Sequence, residues 1–243
     1  MLSIRIAAIL LIGLAGASAP ARAQSAWTDR GFVNVSGFFQ PSSSFSNTVQ
    51  PTDFAEPSVV DTTYKTGSVP GFEAEGGARL WRNLAIGVGV SWFSKDAAGA
   101  VSAQVPHPFF FNKPRAVSGD ANLSRDETAV HLEVLWMVPL AIRWQLALSG
   151  GPSWFSVNQD VVSDVAITQT YPYDTATFAS ATTVHRSASK AGFNAGADVT
   201  FLLRPRVGLG FGVMFSHASV PLDDTLTVDA GGAHVGGGLR VRF

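Results

Sequence analysis

The chain of 243 residues contains no cysteine, few charges and no long apolar segment beyond its first residues. Without cysteine it cannot form a disulfide, a thiolate metal site or a lipid-modified N-terminal cysteine. Charged residues make up only 14% of the sequence and the formal net charge is −1, which leaves no basic face for a nucleic-acid partner. No apolar run of about 18 residues follows the N-terminal region, so the sequence offers no transmembrane helix.

The N-terminus is typical of a secretory signal peptide. Arg5 is followed by the uncharged apolar run 6–14 and by small residues that end in Ala21-Arg22-Ala23. This pattern predicts a signal peptide over residues 1–23 and one mature domain over residues 24–243. Because a bilayer tolerates no unpaired sheet edge, this domain can enter a membrane only as a closed β-barrel.

Eight segments alternate large apolar residues with small or polar residues at the period of two that is typical of β-strands. In the third segment, for example, Ile86, Val88 and Val90 share one face and Gly87 and Gly89 share the other. A soluble barrel would place its large apolar residues inside, whereas here the charged face is also the face of small residues, which favours a membrane barrel. The segments are 31–40, 72–81, 84–94, 128–138, 144–156, 190–203, 207–217 and 230–243.

The connections between these segments alternate in length. Residues 82–83, 139–143 and 204–206 form short connections, whereas 41–71, 95–127 and 157–189 are long and rich in Ser, Thr, Pro and Asp. The pattern predicts an all-β fold, an eight-stranded antiparallel up-and-down transmembrane β-barrel with three long and one shorter extracellular loops and with both termini in the periplasm. Within the third long connection, residues 161–170 and 175–184 are predicted to form a projecting hairpin.

In strand number, loop alternation and the terminal Gly-Leu-Arg-Val-Arg-Phe, the mature chain resembles the small outer-membrane β-barrel family of bacteria, which includes OmpA-type, OmpX-type and opacity-type barrels. It lacks the peptidoglycan-binding domain of full OmpA. The resemblance implies a place in the bacterial outer membrane, contact with its lipid, and recognition of the last strand by the barrel assembly machinery through Leu239, Val241 and Phe243. Members of this family serve in envelope integrity, adhesion or resistance to host defence, and a few are enzymes or narrow channels.

The predicted lumen face carries four carboxylates, three guanidiniums and two imidazoles. An isolated charge in a narrow interior would lose its hydration, so these groups are expected to pair, with Glu73, Glu75 and Glu133 bound to the three arginines. Such a network favours a polar plug that fixes strand register, and its alternative is a gate that opens a pore. The set is Glu73, Glu75, Arg79, His131, Glu133, Asp198, His234, Arg240 and Arg242.

The long connections contain dense aromatic residues. Phe109, Phe110 and Phe111 stand between prolines in the second, and Tyr171 and Tyr173 flank Pro172 in the third. Exposed aromatics of this density predict a contact, either with neighbouring loops or with a partner. His107 and His185 are isolated from other ligand residues, so no metal site is predicted.

Near the outer end of the seventh strand, His217 and Ser219 resemble the His-x-Ser of outer-membrane lipid A deacylases. The family also needs an acid to orient the histidine, and Asp229 is the nearest candidate. The sequence favours a non-enzymatic structural and surface-interaction barrel with a plugged lumen, without a cofactor, whose loops bind an unknown extracellular partner. The alternatives are a narrow porin-like channel and a lipid-modifying enzyme that uses His217 and Ser219.

Overall fold

The computed structural model of the chain describes residues 27–223 and 226–243. The predicted signal peptide, residues 1–23, lies outside this part of the chain. Over the described ranges no helix suited to crossing a membrane is found. The strands are β1 (Gly31–Val49), β2 (Thr52–Asp53), β3 (Glu56–Pro57), β4 (Val59–Trp81), β5 (Leu84–Val105), β6 (Arg115–Pro139), β7 (Trp144–Gln169), β8 (Ala176–Arg204), β9 (Val207–Pro221) and β10 (Thr227–Arg242).

Eight of these strands close into one ring in the order β1-β10-β9-β8-β7-β6-β5-β4, and every neighbouring pair is antiparallel. The short strands β2 and β3 form a separate hairpin between β1 and β4. Three tight turns, at residues 82–83, 140–143 and 205–206, lie at one end of the ring. The predicted eight-stranded up-and-down barrel is confirmed, and each of the eight predicted segments lies within a strand except for the terminal Phe243.

An apolar band surrounds the lower part of the ring. Its outer surface consists of large apolar side chains that are about half exposed, such as Val88, Leu132, Val134 and Phe211. Aromatic side chains lie at both borders, with Trp136, Trp144 and Phe243 toward the short turns. Exposure of so large an apolar surface to water would be unfavourable, whereas a barrel in a bilayer needs an apolar outer surface. The band therefore marks the part of the barrel that lies in lipid. The aromatic residues toward the other border are Phe39, Trp92, Trp154 and Phe215.

The strands are far longer than a membrane requires. β6, β7 and β8 contain 25, 26 and 29 residues, whereas a bilayer is crossed by about 9 to 11 residues. The three long connections predicted as loops, 41–71, 95–127 and 157–189, are therefore mostly strand, and only the tips at 50–58, 106–114 and 170–175 turn. At about 3.3 Å per residue and a tilt near 45°, the surplus of β7 rises about 35 Å above the apolar band.

The extension was not predicted because the chemistry of the two faces is exchanged along the strand, as β5 illustrates. In β5, Val88 and Val90 face outward near the short turns, but farther along Ser102 faces outward and Val101 and Ala103 are buried inside. The alternation of faces continues without interruption through β5. The lower part thus has a polar interior and an apolar exterior, and the upper part has the arrangement of a water-soluble barrel.

Two apolar clusters fill the upper interior. The outermost joins β4, β5, β6 and β7 around Tyr64 and Leu123, and Phe178 of β8 packs against it. The second lies directly above the membrane part, where Val220 and Val228 of the β9–β10 hairpin pack against Phe155 and Val157. Burial of this apolar area holds the six projecting strands together above the membrane.

The ring is closed only in its lower part. Pairing of β1 with β10 ends at Phe39↔Val235, and pairing of β8 with β9 ends at Phe193↔His217. Above these positions β9 and β10 continue as a short hairpin of their own to Pro221↔Thr227. The projecting parts of β1 and β8 therefore each have one edge without a paired strand in the described part of the chain.

Candidate functional site

Trp27 lies inside the barrel at the short-turn end. Its side chain is buried and packs with Phe32, Leu135 and Met137. The Trp27 backbone N–H donates to Asn83 Oδ1 at 3.2 Å, and Arg79 Nη1 donates to the Trp27 carbonyl at 2.5 Å. Arg79 thus holds Trp27 in place and takes no part in the predicted network with glutamates. Trp27 precedes the first strand, so strand periodicity gave no signal for its role.

Arg240 and Asp198 form the principal ion pair of the membrane part of the lumen. Arg240 Nη2 lies 2.5 Å from Asp198 Oδ2, and Arg240 Nε donates to both carboxylate oxygens at 3.2 Å. The guanidinium also donates to Ser36 Oγ at 2.8 Å and to the Leu239 carbonyl at 3.2 Å. Arg240 is 4% exposed, so this bidentate pair is shielded from water.

Two glycines of β9 make this ion pair possible. β9 lies between β8, which carries Asp198, and β10, which carries Arg240. A Cβ at Gly210 would overlap the Arg240 guanidinium, and a Cβ at Gly212 would lie 3.1 Å from Asp198 Oδ2. The absence of side chains on this stretch of β9 therefore lets two charges from non-adjacent strands meet across it.

The predicted pairing of glutamates with arginines is wrong, although all nine predicted residues face the interior. Arg242 Nη1 donates to Asn34 Oδ1 at 2.9 Å, and Asn34 Nδ2 donates in turn to Glu75 Oε2 at 2.8 Å. In the described lumen, no glutamate forms an ion pair with Arg79, Arg240 or Arg242. The neutral Asn34 amide separates the cation from the carboxylate because the register of β1 with β4 and β10 places it between them.

Glu73, Glu75 and Glu133 line a cavity of about 60 Å³ in the middle of the membrane part. Arg240, Asp198 and His234 complete its polar wall. A cavity of this size has room for a few water molecules, which would satisfy the carboxylate oxygens that lack protein partners, such as Glu75 Oε1. Among the described residues, no group of three or more acidic or histidine side chains could hold a metal ion.

The two lumen histidines differ in their surroundings. His131 is bridged by two hydroxyls, with its ring nitrogens 2.9 Å from Ser91 Oγ and 2.8 Å from Ser153 Oγ. His234 stacks on Phe38, with ring centroids 4.3 Å apart. The ring nitrogens of His131 are thus satisfied by serine hydroxyls, whereas both ring nitrogens of His234 are buried without a protein partner.

Arg125 and Glu127, which were not predicted as lumen residues, form a buried ion pair at the top of the membrane part. Arg125 Nη2 lies 3.0 Å from Glu127 Oε2, and both side chains are nearly inaccessible. Glu127 Oε1 accepts the backbone N–H of Gly231 at 2.6 Å, and Arg125 donates to the Asp229 carbonyl at 2.6 Å. The pair thus fastens the β9–β10 hairpin to β6. Continuing the alternation of Ala129, His131 and Glu133 backward along the same strand would have placed both residues inside.

On the outer surface of the projecting part, Asp160 of β7 binds side chains of both neighbouring strands, β6 and β8. Its carboxylate accepts Ser124 Oγ at 2.6 Å and the Ser124 backbone N–H at 3.1 Å, and it lies 2.9 Å from His185 Nδ1. Partial burial acts to raise the pKa of Asp160, but the hydrogen bonds from Ser124 and His185 outweigh it and hold the pKa below its usual value. Its contribution to stability is present at neutral pH and is lost only as the pH falls through this lowered pKa.

The five aromatic residues predicted to make contacts lie in the two turns at the outermost end of the barrel. Phe109 packs against Tyr173 with ring centroids 5.5 Å apart, and Tyr173 contacts Tyr171 at 6.1 Å. Phe109, Phe110 and Phe111 nevertheless remain 68%, 57% and 73% exposed. The turns thus pack on each other, which is one of the two predicted alternatives, and they still present aromatic side chains to solvent. We call Phe109, Phe110, Phe111, Tyr171 and Tyr173 the aromatic tip.

Polar contacts fix the hairpins that carry the aromatic tip. Arg115 is buried and donates to Gln169 Oε1 at 2.6 Å, to the Tyr173 carbonyl at 3.0 Å and to the Pro106 carbonyl at 2.7 Å. Lys113 forms an ion pair with Asp174 at 3.0 Å. One guanidinium therefore joins the β5–β6 turn to the β7–β8 turn, and the aromatic surface is held rigidly.

Arg115→Gln is expected to release the two turns from each other without unfolding the barrel. The shorter neutral side chain cannot reach three acceptors, so the tip loses order while the clusters below it remain. Limited proteolysis should show at least tenfold faster cleavage near residues 170–175, and the melting temperature of the barrel should change little. Lys113→Gln removes only an exposed ion pair and serves as the control with little effect. Equal cleavage rates in Arg115→Gln and the parent would contradict the assigned role.

His217 and Ser219 do not form a catalytic arrangement with Asp229. Ser219 Oγ donates to Asp229 Oδ1 at 3.2 Å. The His217 ring lies against aromatic rings instead, 6.1 Å from Phe193 and 6.5 Å from Phe215 between centroids. Asp229, the acid predicted to orient His217, is therefore bound to Ser219 instead. Activation of a serine nucleophile needs the acid on the histidine and the histidine on the serine.

The residues predicted as the assembly signal lie on the last strand and its end. Leu239 and Phe243 are exposed on the outer surface, and Val241 is partly exposed. The Phe243 carbonyl accepts the backbone N–H groups of Arg30 and Gly31 at 2.6 and 2.8 Å, which closes the ring between β10 and β1. The signal residues thus stand at the seam of the barrel.

No family model matches the chain, and no curated protein matches it. Three similar solved structures are those of Neisserial surface protein A, of the outer membrane protein OprG from Pseudomonas aeruginosa, and of Ail, the attachment invasion locus protein of Yersinia pestis. Neisserial surface protein A is 12% identical, with 88% of this chain and 97% of that chain covered and a TM-score of 0.49. OprG is 9% identical, with 90% and 98% covered and a TM-score of 0.49. Ail is 11% identical, with 88% and 99% covered and a TM-score of 0.40.

The closed ring of eight strands, its apolar outer band and its polar lumen give this chain the architecture of small outer-membrane β-barrels.

Proposed function

We propose that this chain is a structural and surface-interaction barrel of the outer membrane that contacts a partner through the aromatic tip. The observation that carries the proposal is a set of exposed aromatic side chains held on hairpins that are fastened to each other. Rigid exposed aromatics supply large contact area at low cost in conformational entropy, and they dominate the energetics of protein interfaces. Phe54, at the tip of the β2–β3 hairpin, adds a further exposed ring to this end of the molecule.

The proposal places the short turns and both chain ends in the periplasm and the long hairpins outside the cell. Short periplasmic turns and long extracellular connections are the general arrangement of outer-membrane barrels. In this orientation the projecting part, with a rise of about 35 Å, carries the tips beyond the lipid headgroups on the outside of the cell.

A protease site inserted between Tyr173 and Asp174 should be cleaved on intact cells. The same site inserted at Arg82-Asn83 should be cleaved only after the outer membrane is permeabilised. Immunoblotting of whole and permeabilised cells measures both, and protection of the 173–174 site on intact cells would contradict the orientation.

Side chains inside the barrel support this role over that of a narrow channel. Trp27, the Arg240–Asp198 pair, His131 and the Arg125–Glu127 pair lie inside the barrel. An eight-stranded barrel has an interior just wide enough for side chains. We therefore expect near-baseline conductance in planar bilayers, and a large steady ion-selective current would favour the channel instead.

The contacts of the outer rim support a non-enzymatic role. Ser219 bonds to Asp229 and His217 packs on aromatic rings, so neither geometry favours lipid hydrolysis. Mass spectrometry of lipid A from expressing cells should show no change relative to cells without the protein.

The test of the proposed function compares adhesion of cells that display the parent or the variant F109S/F110S/F111S. The surfaces are immobilised serum and extracellular-matrix proteins and cultured host-cell layers. On the surface to which parent cells adhere above the empty strain, the variant should lose at least tenfold. The control L140S/I142S removes exposed apolar side chains at the opposite end of the barrel and should adhere like the parent. Parent cells that adhere no better than the empty strain to any of these surfaces would contradict the proposal.

A further inference from the structure

Positive charge is concentrated at the short-turn end of the barrel. The chain has a formal net charge of −1, yet within the described ranges the segments that form this end contain a single acidic residue, Asp29. The Asp29 carboxylate accepts the Trp27 indole N–H at 2.9 Å, so it is already bound within the barrel. Five exposed arginines at this end, which we call the arginine rim, are Arg30, Arg82, Arg143, Arg204 and Arg206.

The arginine rim follows one arc of neighbouring strands. Arg30 directly precedes β1 and Arg206 directly precedes β9. Arg204 is the last residue of β8, and Arg143 directly precedes β7. In the ring, β1, β10, β9, β8 and β7 are consecutive neighbours, and β4, which ends beside Arg82, lies on the other side of β1. The cations therefore border six of the eight strands without interruption by an exposed acid in the described part of this end.

The guanidiniums of the arginine rim carry uncompensated charge. Over the described ranges none of them forms an ion pair. The Arg82 guanidinium lies over the Trp81 ring, 4.9 Å from its centroid, which leaves its edge free for an anion. Arg240, inside the barrel, is by contrast neutralised by Asp198. A set of exposed cations of one sign creates a positive potential that attracts anions from the surroundings.

The arginine rim lies at the height of lipid phosphates. Arg82 directly follows Trp81, and Arg143 directly precedes Trp144. Both indole rings are exposed at the short-turn border of the apolar band. Tryptophan rings at such a border lie at the level of the lipid headgroups, so the neighbouring guanidiniums lie there too. A guanidinium presents a fork of N–H donors that matches two oxygens of one phosphate.

Exposed apolar side chains beside Arg143 favour a lipid over a soluble polyanion. In the turn 140–143, Leu140 and Ile142 are 58% and 98% exposed. Acyl chains near the headgroups would cover these side chains, whereas a hydrated anionic polymer would leave them in water. A zwitterionic headgroup carries its own cation next to the phosphate, so a lipid with a net negative charge is the better partner for a rim without acids.

We propose that the arginine rim binds anionic phospholipids, with its guanidiniums on the lipid phosphates. This binding follows from the exposed charges and is independent of the aromatic tip and of the direction in which the barrel is inserted. Its assignment to the periplasmic leaflet of the outer membrane rests on the proposed orientation. In that leaflet the rim would gather anionic lipids around the short-turn end.

The test supplies the purified full-length barrel, in a non-ionic detergent, with equal amounts of phosphatidylglycerol and phosphatidylcholine that have the same acyl chains. Native mass spectrometry counts the lipids that remain bound. The barrel should retain phosphatidylglycerol at least about fivefold more than phosphatidylcholine, because each arginine near an anionic headgroup contributes roughly that factor. Raising the ammonium acetate concentration to about 0.5 M should reduce the preference, because salt screens exposed charges.

Three triple variants locate the preference. R143Q/R204Q/R206Q should retain the two lipids equally, to within about twofold. The matched control K65Q/K113Q/R186Q removes the same number of exposed cations from the projecting part and should keep the preference of the parent. R143K/R204K/R206K keeps the charges and should keep a preference for phosphatidylglycerol. Heat-modifiable migration checks that each variant is folded.

Equal retention of the two lipids by the parent would overturn the proposal, as would an equal loss of preference in the control and in R143Q/R204Q/R206Q. Binding of the parent to purified peptidoglycan without a lipid preference would assign the rim to a cell-wall polymer and would also overturn it. If the glutamine variant does not fold, the preference of the parent and its loss at high salt decide the outcome. A reversed orientation in the protease experiment would leave the lipid preference intact, so failure of the proposed orientation and failure of lipid binding are distinguishable.

Discussion

Asp198→Ala is expected to destabilise the folded barrel by about 3 kcal/mol. The substitution leaves the Arg240 guanidinium buried without its counter-charge, and breaking a buried pair by removing one partner typically costs about 3 to 5 kcal/mol. The lower end of this range applies because Arg240 keeps Ser36 Oγ and the Leu239 carbonyl as acceptors. Urea-induced unfolding in lipid vesicles, followed by tryptophan fluorescence, measures the change.

The double variant D198L/R240M is the control for this prediction. Removing both charges together leaves no uncompensated ion, so most of the lost stability should return. If the double variant is as unstable as Asp198→Ala, the lost packing around β9 rather than the unpaired charge is responsible, and the assigned role of the ion pair is wrong.

Val88→Arg should destabilise the barrel by about 2 to 4 kcal/mol, because it places a charge on the lipid-facing surface near the bilayer midplane. The matched control is Ser102→Arg, which lies on the same strand and the same outer face but above the apolar band. An exposed substitution in water usually changes stability by less than about 0.5 kcal/mol. The same unfolding assay applies to both.

The comparison of Val88→Arg with Ser102→Arg also locates the membrane border. Equal effects would mean that the apolar band does not end where the chemistry of β5 changes. A larger effect at Ser102 would mean that the projecting part, rather than the lower part, lies in lipid.

The sequence was sufficient to predict the eight strands of the ring and the side of each that faces lipid. Val88 and Val90 alternate with Gly87 and Gly89, and this pattern depends only on neighbours in the chain. The strand extensions were missed because Ser102 and Gln104 give the composition of a loop, although they alternate with buried Val101 and Ala103. In this part of β5 the alternation of buried and exposed residues predicts a strand, whereas the composition predicts a loop.

The partners within the lumen could not be predicted in the same way. Arg240 binds Asp198 because Gly210 and Gly212 leave space between their strands, and that space depends on the register of three strands. Which inward charges lie at the same height is fixed by the stagger of the closed ring, a property that no single segment contains. Trp27 was missed because its contacts are all with residues distant in sequence.

The exchange of chemistry along β5 also fixes how deep the barrel sits. A barrel whose outer surface stayed apolar could slide to match a thicker bilayer, but here the next outward residues above Trp92 are Ser94 and Asp96. Covering them with hydrocarbon would expose polar groups to lipid, so a hydrophobic mismatch must be relieved by thinning of the surrounding lipid instead. Membranes of different thickness would therefore be deformed around this protein by different amounts, and the protein would partition toward the thinner one.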